Sequence, residues 1–435
     1  MMLSGWGRFP RADCYVRRVR EEDEVRAALS SGRSWIARGN GRSYGDPALN
    51  RDGVLDMTSS ARFLAFDPES GLLACEAGVL LAEVLAVFTP RGWFPPVTPG
   101  TKFVSLGGMV ACDVHGKNHH LAGSFSRHIA WLDLMLADGQ VVRCGPDQEA
   151  ELFWATCGGM GLTGVILRLA FQMIRIETPL IRQTTIAAPD LDAAMEAFEA
   201  NFAATYSVAW IDCLASGARQ GRSLVHIGEH ARADEVGAAG AQPPRAKKPK
   251  RVPIDFPGVA LNRFSVTAFN ALYYARGKPG THLAAIDPYF YPLDGLLEWN
   301  RIYGSGGFMQ HQAVLPLESS REGLKVMLTR IAASGAGSFL AVLKRMGAGA
   351  GPLSFPMEGY TLALDFAATP KNMSLLNDLD AIVADHGGRL YFAKDSRSGA
   401  SALRGYPELA AFRAVRDRVD PERRFRSLQS ERLGL

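Results

Sequence analysis

Three glycine-rich segments hold most of the residues able to do chemistry. The first is Ala37-Arg38-Gly39-Asn40-Gly41-Arg42-Ser43-Tyr44-Gly45-Asp46-Pro47, entered from the apolar run Trp35-Ile36-Ala37. Small residues in succession let backbone N–H groups turn toward one point, an anion nest suited to a pyrophosphate. The segment lacks the Gly-Lys-Ser/Thr ending of a P-loop and the G-x-G-x-x-G spacing of a dinucleotide turn, so a plain tight turn stays open. The second runs from Pro99-Gly100-Thr101 through Ser105-Leu106-Gly107-Gly108 and Ala111-Cys112-Asp113-Val114-His115-Gly116-Lys117-Asn118-His119-His120 to Gly123-Ser124. His115 and His119 have the i, i+4 spacing that lets two imidazoles hold zinc from one helix face. Gly116 and Asn118 oppose a helix there, and no tidy cysteine or carboxylate set completes the site, so no metal is assigned. The third, Cys157-Gly158-Gly159-Met160-Gly161-Leu162-Thr163-Gly164-Val165-Ile166, would let a flat ligand approach the backbone. A helix end running into a strand is its bland alternative.

Further polar residues lie in the second half. Gln310 and Gln312 alternate in Met309-Gln310-His311-Gln312, which puts both on one face of a strand. Lys344 ends the apolar run Ala341-Val342-Leu343, and Lys394 follows Tyr391-Phe392-Ala393. By itself Lys394 reads as a surface lysine at a strand end.

The elements that must position these residues fall into two patterns. From Ser34 to about Met173, short β-like runs are divided by glycine turns. Phe63 to Phe66 and Leu72 to Glu76 flank Asp67-Pro68-Glu69-Ser70-Gly71 as a hairpin, and Leu132 to Leu136 and Gln140 to Arg143 flank the strong turn signal Asp138-Gly139. Val79 to Phe88 has helical spacing and stops before Pro90. This is an α+β pattern with no βαβ alternation at the start. From about Pro179, helical Leu191 to Phe202, Ser320 to Ala333 and Met373 to Ala384 alternate with strand-like Phe308 to Leu315 and Tyr360 to Phe366. The Ala/Gly/Pro-rich stretch Glu229 to Pro257, carrying Arg245, Lys247, Lys248, Lys250 and Arg251, reads as a mobile basic loop.

Together the three glycine segments resemble the flavin-binding half of the vanillyl-alcohol-oxidase type of FAD-linked oxidoreductases. Phe290-Tyr291-Pro292-Leu293-Asp294, Trp299-Asn300-Arg301-x-Tyr303-Gly304, Leu353-Ser354-Phe355-Pro356 and Gly388-Arg389-Leu390-Tyr391-x-Ala393-Lys394-Asp395-Ser396-Arg397 extend the resemblance across nearly the whole chain. They are similar to the members that act on polyprenyl-phosphoryl ribose. The resemblance implies a two-subdomain FAD-binding domain over residues 1–178 and an α+β substrate domain over 179–389, with an antiparallel sheet flanked by helices. Residues 390–435 would return to the FAD-binding domain. The first loop would wrap the FAD pyrophosphate, and the second and third, with Tyr391, would line the isoalloxazine.

The implied reaction oxidises the 2′-hydroxyl of a polyprenyl-phosphoryl ribose to a ketone, the first half of a ribose-to-arabinose epimerisation for cell-envelope glycans. Lys394, Gln312, Gln310 and Tyr44 would be catalytic. Lys344, Thr361, Ala363, Phe290 and Lys117 would bind substrate, with Lys344 at its phosphate. Covalent relatives carry a histidine after the Gly-x-Gly of the first loop, where this chain has Arg42, so the FAD is expected to be non-covalent. Ala363 and Thr361 stand where the subfamily has a thiol and an amide, and Met346 where an aromatic is expected. These differences bear on substrate fit, since a hydroxyl and an amide offer different hydrogen bonds. A soluble sugar, alditol or lactone oxidase using oxygen is the alternative, followed by a non-catalytic scaffold.

Composition bounds the rest. Hydrophobic residues are 47% and charged residues 21% of 435, ordinary for a folded chain with more than one core. The net charge of +4 is too mild to argue for nucleic acid. The six cysteines form no C-x-x-C pair and read as reduced thiols of a cytoplasmic enzyme. No nicotinamide fingerprint is present, so an NAD(P)H-dependent ketoreductase partner is expected to finish the epimerisation. A transient contact of the basic loop with the inner face of a membrane is the remaining expectation.

Overall fold

A computed structural model describes residues 1–240, 248–257 and 262–435. The first lobe is built on two main sheets, beside two small two-stranded ones. Val16–Arg18 and Ile36–Arg38 both run parallel to Val54–Asp56, which lies between them, and the helix Glu22–Leu29 makes the crossover. The start is therefore a βαβ unit, contrary to the reading of the sequence. Each strand has three residues, too few for a period of two to register. The helix signal is the acidic first turn Glu22-Asp23-Glu24 followed by Val25, Ala28 and Leu29, which are buried against Trp35, Leu55 and Phe425.

The second sheet is antiparallel, in the order Val141–Cys144, Ile129–Met135, Val165–Gln172, Leu72–Glu76, Phe63–Phe66. Both anticipated hairpins lie in it. The helix Leu81–Phe88 packs Leu81, Val84, Leu85 and Phe88 into the same core.

The second lobe is one antiparallel sheet of eight strands. Its order is Gly280–Ala285, Leu180–Ala188, Ser223–His230, Tyr206–Ile211, Ala341–Met346, Gly359–Ala367, Phe308–Pro316, Arg389–Leu390. Strand alternation divides its two faces. Met309 and Leu315, Ala341 and Leu343, and Leu362, Leu364 and Phe366 point to one side, where they join buried residues of helices Leu191–Ala200, Leu317–Ser334 and Pro370–Asp385. Gln310 and Gln312, Val342 and Lys344, and Ala363 and Asp365 therefore face the other side, toward the first lobe. The chain then returns: Trp35 bridges Phe425, and Arg432 donates to Asp46 at 2.7 Å and to Asp395 at 2.9 Å.

The stretch read as a loop over 229–257 is ordered at both ends. Glu229 and His230 end a strand, Ala233–Gly240 is helical, and Lys250–Arg251 pairs in parallel with Leu296–Leu297. Arg245 and Lys247 lie outside the described residues. The helix Arg263–Arg276 was not anticipated; it is largely exposed, with Val266 and Asn270 buried. Among the described residues no helix is long and apolar enough to cross a membrane.

Candidate active site

A cavity of about 1190 Å³ separates the face of the eight-stranded sheet from the glycine segments of the first lobe. Single-ligand pockets occupy roughly 300–1,000 Å³, so this one has room for a large cofactor and a second molecule. Its first-lobe wall is backbone-rich. Gly41 has φ +63°, a Cβ on Gly39 would lie 1.9 Å from Ser105 Oγ, and one on Gly107 would lie 2.7 Å from the Ala77 Cβ. Asn40 Nδ2 donates to the Phe103 carbonyl at 2.8 Å, tying the first glycine loop to the second. Arg42 sits over the Trp6 ring at 4.1 Å, with its Nε buried and without a partner.

The opposite wall carries the polar side chains. Gln312 Nε2 donates to His115 Nε2 at 2.9 Å and to Thr361 Oγ1 at 3.3 Å, while Thr361 donates its own proton to the Ala313 carbonyl at 2.8 Å. These bonds are mutually consistent only if His115 accepts at Nε2 and carries its proton on Nδ1. Burial, reinforced by the Lys344 charge, keeps this imidazole neutral, and its Nδ1 is buried without a partner. Gln310 Nε2 donates to Asp365 Oδ1 at 2.5 Å, leaving Oδ2 buried and unpartnered. Lys394 Nζ lies 3.8 Å from the centre of the Tyr44 ring.

Burial raises the Asp365 carboxyl above the usual carboxylate range and lowers the Lys394 ammonium, with each charge opposing the shift in the other. Burial also brings Lys344 down to about 8, and burial with the Lys344 charge brings Lys117 down to about 7. The little exposure these lysines retain is to the cavity. Lys117 donates to the Tyr289 carbonyl and rests 4.1 Å from that ring, beside Phe290.

The cavity brings together most of the residues singled out in the sequence. Ala37 to Gly45 and Pro47 line it, as do Gly100, Ser105, Gly107, Gly108, Cys112, Val114, His115, Gly116, Lys117, Gly164 and Ile166. From the second half, Phe290, Gln310, Gln312, Lys344, Ala363, Tyr391 and Lys394 line it too. Tyr391 donates its hydroxyl to the Cys112 carbonyl at 2.7 Å.

Nine others stand behind the wall. Asp46 takes Arg432; Asp113 accepts from Ser126 at 2.6 Å and from Ser354; Asn118 donates to the Pro96 carbonyl at 2.8 Å. His119 Nδ1 accepts from the Gly347 amide at 3.0 Å. Leu106 and Val165 are core residues, Gly123 turns at φ +71°, Ser124 bridges His115, and Thr361 acts through Gln312. Met346 is buried in the core and does not line the cavity. His120 meets the Ala204 carbonyl at 2.9 Å, so the three imidazoles have separate partners, and among the described residues no His/Cys/Asp/Glu group could hold a metal. Sequence reasoning missed Asp365, although its place two residues after Ala363 puts it on the same strand face. It also missed Trp6, Gln183 and His226, which carry no local signal.

Residues 15–145 match the family described as FAD binding domain. A glycine cradle facing a polar sheet, with this domain, defines a FAD-dependent oxidoreductase. The chain is 38% identical to the decaprenylphosphoryl-β-D-ribose oxidase of Mycolicibacterium smegmatis, covering 100% of this chain and 97% of that protein. It is 36% identical to an uncharacterized protein of Streptomyces coelicolor over 82% of this chain and 100% of the other. It is 28% identical to the L-gulonolactone oxidase of Bos taurus over 35% of each chain. The chain belongs to the decaprenylphosphoryl-β-D-ribose oxidase family of FAD-linked oxidoreductases.

Proposed function

We propose that the protein oxidises the 2′-hydroxyl of a polyprenyl-phosphoryl ribose to the 2′-ketone, the first half of an epimerisation to the arabino sugar. The observation that carries this reading is the convergence of Gln310, Gln312, Asp365 and Lys344 on one sheet face, with Lys394 on the turn after Arg389–Leu390, all opposite the glycine cradle. The orphaned Arg42 Nε and His115 Nδ1 and the close-approach glycines suit FAD, and no histidine occupies the Arg42 position to link it. When bound, FAD supplies the two-electron acceptor.

The chain's own groups handle position and protons. Gln310 and Gln312 orient the sugar hydroxyls, and Thr361 fixes the Gln312 amide so that its carbonyl faces the sugar. Asp365 Oδ2, a free acceptor, takes the proton of the 2′-hydroxyl, while the Lys394 charge favours the alkoxide-like oxygen that develops. Lys344 and Lys117 receive the phosphoryl group. The ketone then leaves for a separate NAD(P)H-dependent reductase. Ala363, smaller than a cysteine, leaves the sugar pocket roomier.

Anaerobic mixing with a short-chain polyprenyl-phosphoryl ribose should bleach the flavin absorbance, with 2′-ketone in the quench. No bleaching with this substrate, together with bleaching by a free alditol or lactone, would replace the proposal with the soluble-sugar reading.

A further inference from the structure

The helix Arg263–Arg276 is apolar on two sides. Its inner side is pinned to the sheet: Asn270 donates to Asp212 Oδ1 at 2.7 Å, Tyr274 to the Ala188 carbonyl at 3.2 Å, and Val266 is buried. Phe269 and Tyr273, on its flank, line the cavity beside Phe339 and Trp210, with ring centres 5.9 Å and 4.7 Å apart in the pairs Phe269–Phe339 and Trp210–Tyr273. At 3.6 residues per turn, Phe264, Ala268, Ala271, Leu272 and Ala275 share the opposite side. All five are exposed, Phe264 by 85% and Leu272 by 50%. A helix that stays apolar on its solvent side has a further surface to cover.

Charge says what covers it. The helix carries no carboxylate and has Arg263 and Arg276 at its ends. Lys278 follows, and Lys248, Lys250 and Arg251 precede it. Over the described residues between 248 and 285 these six cations stand with one carboxylate, Asp255, which is paired with Arg8 at 2.5 Å; of the six, Arg251 is also 3.7 Å from Glu298. Arg251 also lines the cavity. An apolar stripe bearing Phe and Leu, rimmed by Lys and Arg, suits the interface of an anionic bilayer.

We propose that the outer side of the Arg263–Arg276 helix seats on an anionic membrane surface and presents the cavity mouth, between Phe269, Tyr273 and Arg251, to a lipid-linked substrate. The inference rests on the polyprenyl substrate proposed above. It assigns docking to a shallow helical insertion, with the polyprenyl chain passing along the same aromatic flank while the sugar enters the site.

The test uses the FAD-loaded full chain and vesicles of phosphatidylcholine alone or in equimolar mixture with phosphatidylglycerol. Co-flotation should occur with the anionic vesicles, weaken with salt and fail with phosphatidylcholine alone. F264S/L272S, whose side chains do not line the cavity, should reduce partitioning by about tenfold to a hundredfold, with unchanged flavin absorbance and thermal midpoint. It should keep wild-type turnover of a short-chain soluble substrate and lose kcat/KM only for substrate embedded in vesicles. R263S/R276S should reproduce the loss at low salt. Wild-type protein that does not float, or variants that float equally well, would overturn the docking surface. So would a wild-type dimer that F264S/L272S converts to a monomer, which would assign the face to a second copy. Bleaching by the soluble substrate is read separately, so failure of docking and failure of the proposed reaction remain distinct.

Discussion

At the scale of single residues, the site depends on ionisable groups held away from bulk water. Lys394→Met removes a charge that faces the cavity without filling a glycine-lined space. It should leave FAD content unchanged and slow anaerobic flavin reduction by about 10²–10³-fold, the usual worth of one group that stabilises developing charge. Stopped-flow absorbance measures both quantities. Lys117 and Lys344, proposed above to receive the phosphoryl group, set a pH dependence of opposite origin. Burial, with the Lys344 charge, brings Lys117 down to about 7, and burial brings Lys344 down to about 8. A lysine holds an anion only while protonated, so KM for a phosphoryl-linked substrate should rise as pH increases through this window. A neutral sugar analogue should show no such rise. Lys117→Met should start from a higher KM at pH 6 and flatten the lower part of the rise.

At the scale of elements, two backbone loops meet where a side chain would not fit. A Cβ on Gly45 would lie 2.0 Å from the Asp395 carbonyl oxygen, beside the segment that carries Lys394. Gly45→Ala should therefore push the first glycine loop off the turn that carries Lys394. We expect a stability loss of about 1–3 kcal/mol and weaker FAD retention on dilution, read by thermal unfolding and by fluorescence of released flavin. The glycines of the loop left a plain tight turn open in the sequence and gained a role only through the resemblance, whereas the glutamine pair was legible because strand alternation is a property of the sequence. Asp365 sits in the same alternation, but only the folded chain shows that Gln310 on the facing strand and Lys394 on a turn are its neighbours. The opening βαβ unit was illegible because three-residue strands carry no period. The Arg263–Arg276 helix was hidden because its apolar residues lie on two sides and blur a single amphipathic stripe.

At the scale of the whole molecule, the site is closed by the end of the chain. Arg432 reaches Asp46 beside the first flavin loop and Asp395 beside Lys394, joining three distant regions with one guanidinium. Burial works against the Asp395 carboxylate, yet Arg432 and the Ser398 bonds hold it below the usual range; Asp46, with burial dominant, is raised. Arg432→Ala would leave two buried carboxylates without their shared cation. Breaking such a pair costs about 3–5 kcal/mol, so the thermal midpoint should drop and FAD should be lost before global unfolding, as followed by parallel flavin fluorescence and far-UV dichroism.

Of the six cysteines, five are buried, and Cys112 alone keeps exposure, facing the cavity with its sulfur 3.7 Å from Ser43 Oγ. Burial holds its thiol up at about 11, so it alkylates slowly but steadily at alkaline pH. This makes the protein its own occupancy gauge. Flavin-stripped protein under iodoacetamide should gain one adduct at Cys112 by intact mass, and reconstituted protein none. The fraction protected then counts filled molecules directly, whatever the oxidation state or colour of what fills them.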